Sequence, residues 1–489
     1  MILIKPAIHS ESQSELITPF IYNTFPTSLG YLAAYLRKYN NVLPKIVDEN
    51  ITPLDRSALE GLMKRDAGPK IVGMTVITIS SSRAYALAKL VKEIDKEYLV
   101  VLGGIHPTVL PEEALGIPEV DVVVRGEGEK TLSELTDCVV SGRNYREIRG
   151  LSLRKGAEAV HNPARELIDL STLPPFPYDL FEETYDKYRD FGTVISSRGC
   201  PFDCIFCSQR AITGQKYRTV DNARVLEDIK LLIEKYKQKK IWFMDDNFLV
   251  NKNRAMSLMD GIIANGYNKK AGFVAEMRGE SVTQEILDKM KEANFLVASF
   301  GMETSSQRLL DLVNKSEKVD DNIRAIEMAH RTGIGTSATF IFGLPTETRK
   351  ERLDTARLTR KLPLDDARFN IAVPYPGTKL YDIAKKEGRL LVKTGWSNFN
   401  VQFYMFGDDI AYVPEGENKY RLMYDTFMAN LLFSLRLRTL INFIKSPVSG
   451  GMVLTLPKGW YRSPREIARL FKLFAYIFGR FCVIVWRKG

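Results

Sequence analysis

The chain has 489 residues, 45% of them hydrophobic and 26% charged, a folded-protein composition that excludes disorder or collagen-like structure for its bulk. Its net charge of +10 favours anionic partners such as nucleic acid, lipid head groups or phosphorylated substrates. Five cysteines are too few for a disulfide framework, and the start MILIKPAIHS lacks a basic stretch leading into a long apolar run; a reducing, cytoplasmic setting is expected, with no secretory signal and no spanning helix.

Residues 1–145 alternate short apolar runs with helical stretches. Met1–Pro6 reads as a strand, Thr27–Asn40 as a helix with Leu29, Leu32, Ala33 and Leu36 on one face, and Lys45–Asp48 as a second strand. Ile71–Ile79 has the run of a fully buried strand, followed by a helix over Ser82–Lys96. Tyr98–Leu102 is a strand ended by Gly103 and Gly104, and Asp121–Val124 a last strand before the helix Glu129–Val139. The alternation predicts an α/β, doubly wound parallel sheet with ligands at the carboxyl ends of its strands. Residues 146–190, with the turn Leu173-Pro174-Pro175-Phe176-Pro177, read as an irregular linker.

Over 191–390 six strands are placed, at Thr193–Ser196, Lys240–Met244, Gly272–Ala275, Leu296–Gly301, Thr336–Phe342 and Arg368–Val373, with helices such as Asn222–Tyr236 and Asp321–Thr332 between them. This predicts a partial (β/α)6 barrel, its reactive residues at the carboxyl ends of the strands. Residues 391–489 read as mainly helical, over Lys419–Phe443 and Pro464–Trp486. The second helix is aromatic, apolar and flanked by Arg462, Arg465, Arg469, Lys472, Arg480, Arg487 and Lys488. It reads either as packing on the barrel or as lying in a membrane interface.

Three of the five cysteines fall in Cys200-Pro-Phe-Asp-Cys204-Ile-Phe-Cys207, after a strand and the turn Arg198-Gly199. Thiolates so closely spaced can converge on one soft metal centre. A structural zinc site would need a fourth Cys or His, and none lies near. Three ligands to a four-iron cluster would leave one iron open for chemistry. Cys138 and Cys482 are remote and read as small core residues.

This Cys-x3-Cys-x2-Cys pattern, with Phe206 before the last cysteine, resembles the radical S-adenosylmethionine superfamily. Further features follow in order: Asp245-Asp246-Asn247-Phe248, Phe300-Gly301-Met302-Glu303-Thr304-Ser305, Ile341-Phe342-Gly343-Leu344-Pro345 and Val373-Pro374-Tyr375-Pro376-Gly377-Thr378. The resemblance implies that Cys200, Cys204 and Cys207 ligate a [4Fe-4S] cluster whose fourth iron chelates S-adenosylmethionine, and that reduction releases a 5′-deoxyadenosyl radical. It further implies that Asp245 and Asp246 hold the cofactor's amino group, Arg278 its carboxylate, Glu303 its ribose, and Phe206 and Gly343 its adenine. Each has a plainer reading: Asp245 and Asp246 as turn caps, Glu303 as a solvated strand end, Arg278 as a surface ion pair, Gly343 as a turn glycine.

The first domain resembles the cobalamin-binding domain of the subfamily that holds cobalamin-dependent radical methylases and the anaerobic magnesium-protoporphyrin ester cyclase. The matching residues are Thr27-Ser28-Leu29-Gly30-Tyr31-Leu32, Val101-Leu102-Gly103-Gly104-Ile105-His106-Pro107 and Arg125-Gly126-Glu127-Gly128-Glu129. Where many cobalamin folds carry Asp-x-His-x-x-Gly, this chain has Asp48-Glu49-Asn50-Ile51-Thr52-Pro53, without the histidine that binds cobalt. By the resemblance, Gly103 and Gly104 would admit the nucleotide tail and Ser80 and Ser81 would donate hydrogen bonds to it; the plain alternative for the glycine pair is a strand–turn. His106 reads as a structural loop residue.

The expected activity is radical methylation of an unactivated carbon with cobalamin as methyl carrier. A cobalamin-free cyclisation, rearrangement or carbon–carbon coupling, and a non-catalytic cluster protein, are the alternatives. A tRNA-modifying methylthiotransferase typically needs three more cysteines in its first domain, where only Cys138 occurs, so nucleic acid is not the expected partner. The basic aromatic tail suggests a hydrophobic, lipid- or tetrapyrrole-like substrate and peripheral membrane contact, and the resemblance implies an electron donor such as flavodoxin or ferredoxin.

Overall fold

The structure, a computed structural model, describes residues 1–8, 25–188, 190–400, 409–439 and 464–488. In the first domain β1 (Ile2–Lys5), β2 (Lys45–Asp48), β3 (Ile71–Thr75), β4 (Leu99–Gly103) and β5 (Val122–Val124) run parallel in the order β2-β1-β3-β4-β5. Their apolar runs are buried because helices cover both faces. Thr27–Asn40 and Glu129–Ser141 pack Leu29, Leu36, Leu132 and Leu135 on one side, and Arg56–Arg65 and Ser81–Ile94 pack Leu59, Met63, Leu87 and Val91 on the other. The run Ile71–Ile79 is a strand only to Thr75; Thr78–Ser80 turns into a short 3-10 helix.

The reading of 146–190 as irregular needs correction. β6 (Leu151–Lys155) and β7 (Glu158–His161) form an antiparallel hairpin that extends the sheet beyond β5. The remainder is an aromatic seam between the domains, in which Phe25 meets Phe176, Phe181, Tyr188 and Phe191 at centroid distances of 4.7–5.5 Å. Phe176 lies so close to the helix Thr27–Asn40 that a Cβ on Gly30 would come within 2.2 Å of its ring, so a glycine is required there.

The second sheet runs β8 (Thr193–Val194), β9 (Lys240–Phe243), β10 (Gly272–Met277), β11 (Phe295–Glu303), β12 (Gly335–Phe342) and β13 (Asp366–Ile371), all parallel and each beside its neighbour in sequence. This is the expected partial barrel. Against β13 lies the helix Lys419–Ser434, whose Asn430 amide donates to Phe369 O and accepts from Phe369 N. Residues 440–443 of the expected helix lie outside the described residues. The last helix, Pro464–Arg487, packs on Lys419–Ser434 through Phe481, 5.0 Å from the Phe427 ring, and through buried Ile484. Among the described residues no helix is long and apolar enough to cross a membrane.

Candidate active site

The cysteine loop leaves a two-stranded ribbon in which Ser197–Arg198 pair antiparallel with Arg218–Thr219. Gly199 opens it with φ +87°, and a Cβ there would lie 2.1 Å from Lys216 O, so only glycine fits. Backbone bonds stitch the middle of the loop down, Ile205 N to Val313 O and Leu380 N to Ile205 O. Asp203 O accepts from Asn314, its carboxylate pairs with Lys379 and Arg210, and the Phe202 ring lies 3.6 Å from the Arg278 guanidinium.

None of the three thiols is in a disulfide. Partial desolvation by the surrounding chain raises all three, Cys207 to about 11 although its residue is exposed at the surface. For Cys200 and Cys204 the positive charges of Lys315 and Arg278 oppose that rise. Unpaired thiols on a firmly held loop, with cations behind it, suit an anionic thiolate-bound centre. Among the described residues no three His, Cys, Asp or Glu side chains gather as ligands of one ion.

Asp245 and Asp246, at the end of β9, hold the approach to this loop. Asp245 accepts from Ser196 N at 2.7 Å, Ser197 N at 3.0 Å and the Ser196 hydroxyl, while Arg254 donates to Ser196 Oγ and O at 2.7 and 2.8 Å. Asp246 accepts from Gly199 N at 2.9 Å. Burial raises both carboxylates, against the pull of these hydrogen bonds. Their side chains therefore act as turn caps for the cluster loop, and only Asp246 keeps an oxygen clear of these bonds.

Arg278 is buried behind the loop, with Nε on Glu280 at 2.5 Å and Nη2 on the carbonyls of Lys315 and Ser316. Glu303 is not a solvated strand end. It is buried, its backbone is left-handed at φ +60°, and it pairs with Lys315 Nζ at 2.7 Å. A non-glycine residue in that region is strained, a feature that gathers at functional sites. Gly343 has φ +78° and faces Leu422 of the helix Lys419–Ser434, which a Cβ would approach to 2.8 Å. Phe206 packs half-buried beside the apolar cluster of Ile205, Leu309 and Leu344.

The first sheet presents its carboxyl edge to the barrel: the helix Ile105–Val109 packs on Arg210–Thr213, just after the cysteine loop, and Val109 packs on Gly377. Here the expected donors are engaged locally. The Ser80 hydroxyl donates to Ile77 O and that of Ser81 to Thr78 O. Gly104, at φ +99°, lies where a Cβ would meet Val76 N and O within 2.9 Å, whereas Gly103 has ordinary space. Glu49 pairs with Arg83, and Asn50 Oδ1 accepts from Ile8 N. His106 is buried, with Nε2 3.3 Å from Tyr85 Oη and from Glu113, and Glu113 accepts from Trp396 Nε1 at 2.9 Å. His106 is thus the structural residue expected.

Residues 194–359 match the radical SAM superfamily and residues 16–136 the B12 binding domain. An uncharacterised methyltransferase of Pyrococcus horikoshii is 36% identical over 380 residues, 76% of this chain and 81% of the relative. The chain belongs to the radical SAM superfamily, in its branch with a B12-binding domain. The anaerobic magnesium-protoporphyrin IX monomethyl ester cyclase of Rubrivivax gelatinosus is 28% identical over 370 residues, 73% of this chain and 65% of that protein. The radical S-adenosylmethionine methyltransferase TsrM of Kitasatospora setae, solved with cobalamin and a [4Fe-4S] cluster, shares the fold with a TM-score of 0.65 at 18% identity, over 79% of this chain and 74% of that one.

Radical SAM enzymes use a [4Fe-4S] cluster and S-adenosylmethionine, and the described loop fits the cluster. Sequence reasoning missed Lys315, a second buried cation behind the loop beside Arg278. A lysine after the short helix Gln307–Leu312 is ordinary in sequence, and only the return of the chain under β11 brings it to Glu303 and Cys204. The barrel lumen was also unread. By strand register Glu276, Ser299, Ser337 and Asp366 form one level of it, with Ser337 and Arg368 bonded to Asp366. Glu276 is exposed between buried neighbours, its carbonyl accepts from Phe248 N, and its carboxylate has no hydrogen-bond partner among the described residues.

Proposed function

We propose that this enzyme is a cobalamin-dependent radical methyltransferase acting on an unactivated carbon of a small substrate with an apolar body. The observation that carries the reading is the meeting of the two carboxyl edges, which sets a B12-binding sheet directly beside the cysteine loop. When bound, the cluster and S-adenosylmethionine supply the deoxyadenosyl radical, and the corrinoid carries the methyl group. The chain's own residues position and shield. Asp245, Asp246 and Gly199 hold the loop, while Lys315 and Glu303 meet the cofactor's charged and hydroxyl groups, with Lys315 rather than Arg278 as the carboxylate partner because the Arg278 Nε and Nη2 donors are engaged.

The polar lumen level around Glu276 and Asp366 fits a substrate that leads with a polar end. The last helix supports an apolar remainder drawn from a membrane: its outer face leaves Phe478, Val483, Val485 and Trp486 exposed, Trp486 at 81%. Of the basic residues the sequence sets around it, Arg462 and the side chains of Arg465 and Arg469 lie outside the described residues, and Arg487 and Lys488 contact Tyr420 and Tyr424; a basic apolar helix of this kind suits anionic lipid. Flavodoxin or ferredoxin would supply the electron.

The test is anaerobic reconstitution with iron, sulfide and hydroxocobalamin. Retention of corrinoid through gel filtration, with 5′-deoxyadenosine and S-adenosylhomocysteine formed under titanium(III) citrate, is the expected result. Deoxyadenosine without retained corrinoid would instead favour a cobalamin-free cyclase or coupling enzyme.

A further inference from the structure

The turn Arg125–Glu129 follows β5 of the first domain, yet its acidic side chains face the barrel. Glu127 accepts two hydrogen bonds from Arg218, at 2.8 and 2.9 Å, one from Arg198 at 3.2 Å and one from Ile168 N at 2.9 Å. Glu129 pairs with Arg198 at 2.7 Å. These are largely buried pairs, the two glutamates being 7% and 5% exposed in their side chains, and such charge-assisted bidentate contacts are the strong ones. On the far side of Arg198 lies the Tyr31 ring, 5.1 Å away, from the first domain's Thr27–Asn40 helix. Burial alone would raise Glu127, but the Arg218 hydrogen bonds and the Arg198 charge outweigh it and hold the carboxylate below its ordinary range.

What these pairs grip is decisive. Arg198 and Arg218 are directly opposite on the ribbon that opens the cysteine loop, and like charges so placed repel. Glu127 bridges both. One residue beyond Arg198, Gly199 rests on Lys216 O, two residues before the other strand, and Cys200 follows. If the ribbon splays, Gly199 lifts and the first cysteine moves with it. The barrel's own Asp245 and Asp246 hold the same segment only from inside.

We propose that Glu127, with Glu129, is a positioning residue for the iron–sulfur loop, so that the radical half of the enzyme is completed by a contact from its B12-binding domain. The inference rests on the radical reading above but not on corrinoid binding. Asp245, Asp246 and the stitched loop still hold the cysteine segment without the glutamates, so iron should bind, but with the open face turned away from the cofactor.

The test compares anaerobically reconstituted full-length wild type with Glu127→Gln, Glu129→Gln and the pair Glu127→Gln, Arg218→Gln. Iron per chain, thermal midpoint, the electron paramagnetic resonance spectrum of the reduced cluster with S-adenosylmethionine, and the rate of deoxyadenosine formation are measured. Glu127→Gln should keep its iron and lose about tenfold in rate, the scale of one charge-assisted contact. The double variant, no longer holding two facing arginines without their anion, should recover much of that rate. A wild-type rate in Glu127→Gln, a double variant no better than the single one, or rate, iron and midpoint falling in proportion would each overturn the proposal. If wild type itself forms no deoxyadenosine, the radical reading fails and the cluster spectrum carries the comparison: a line shape altered in Glu127→Gln supports the brace, an unchanged one refutes it.

Discussion

At the carboxyl ends of the barrel strands, Asp245, Asp246, Glu303 and Lys315 gather around one loop of three cysteines. At the same ends of the first sheet, Ser80, Ser81 and Asn50 bond to nearby backbone, and Glu127 and Glu129 reach across to the barrel. One edge concentrates charge where a small charged cofactor would be oriented. The other presents glycines and backbone, a surface suited to a broad ligand held by close approach, and gives its own charge to its neighbour. Two sheets of the same parallel type thus divide the work, and the second cannot be understood without the first.

The contrast is broken most severely at the cysteines. Replacing Cys200, Cys204 or Cys207 by Ala should remove most bound iron and all deoxyadenosine formation, while the same change at Cys138 or Cys482 leaves both intact; iron analysis and product assay check this. Next in size is Asp245→Ala, which strands Ser196 N and Ser197 N and leaves Arg254 beside an unfilled space. A loss of roughly 3–5 kcal/mol in unfolding free energy is expected, the range for breaking a buried charged network. Denaturant titration would measure it.

Lys315→Met should sharpen the distinction between holding the loop and holding the cofactor: iron stays, and S-adenosylmethionine binds about ten- to a hundredfold more weakly by calorimetry. On the outer surface, Phe478→Ser with Trp486→Ser should reduce flotation with anionic liposomes about tenfold or more, because each side chain would forgo burial of a large apolar surface. The smallest effect concerns Asp228, buried near Tyr31 and Tyr178 at the domain seam and raised by burial to about 7. Its folded pKa exceeds its unfolded one, so the protonated form stabilises the fold at low pH and that contribution fades as pH rises from about 4 to 7. Asp228→Asn should therefore raise the thermal midpoint by a few degrees more at pH 8 than at pH 5.

How much of this was legible in the sequence follows physical lines. Strands buried on both faces, such as Ile71–Thr75 and Gly335–Phe342, announce themselves as apolar runs, and Thr27–Asn40 by its helical stripe. The edge strand Glu158–His161 is mostly exposed and polar, and the helix Arg56–Arg65 buries only Leu59 and Met63, so neither leaves a pattern to read. Cysteine spacing points to a shared centre because chelation is local in sequence. Asp245 and Asp246 were visible as unusual, but their task depends on which amides the neighbouring strand brings opposite them. Lys315 and the partners of Glu127 are set by tertiary return alone.

The most direct measurement of the central claim is the electron paramagnetic resonance spectrum of the reduced wild-type protein, recorded with and without S-adenosylmethionine. Three cysteine ligands and an iron left open predict about one [4Fe-4S] cluster per chain whose signal changes when the cofactor is added. A cluster whose spectrum is identical in the two samples, or a protein that holds no iron with all three cysteines in place, would contradict the account.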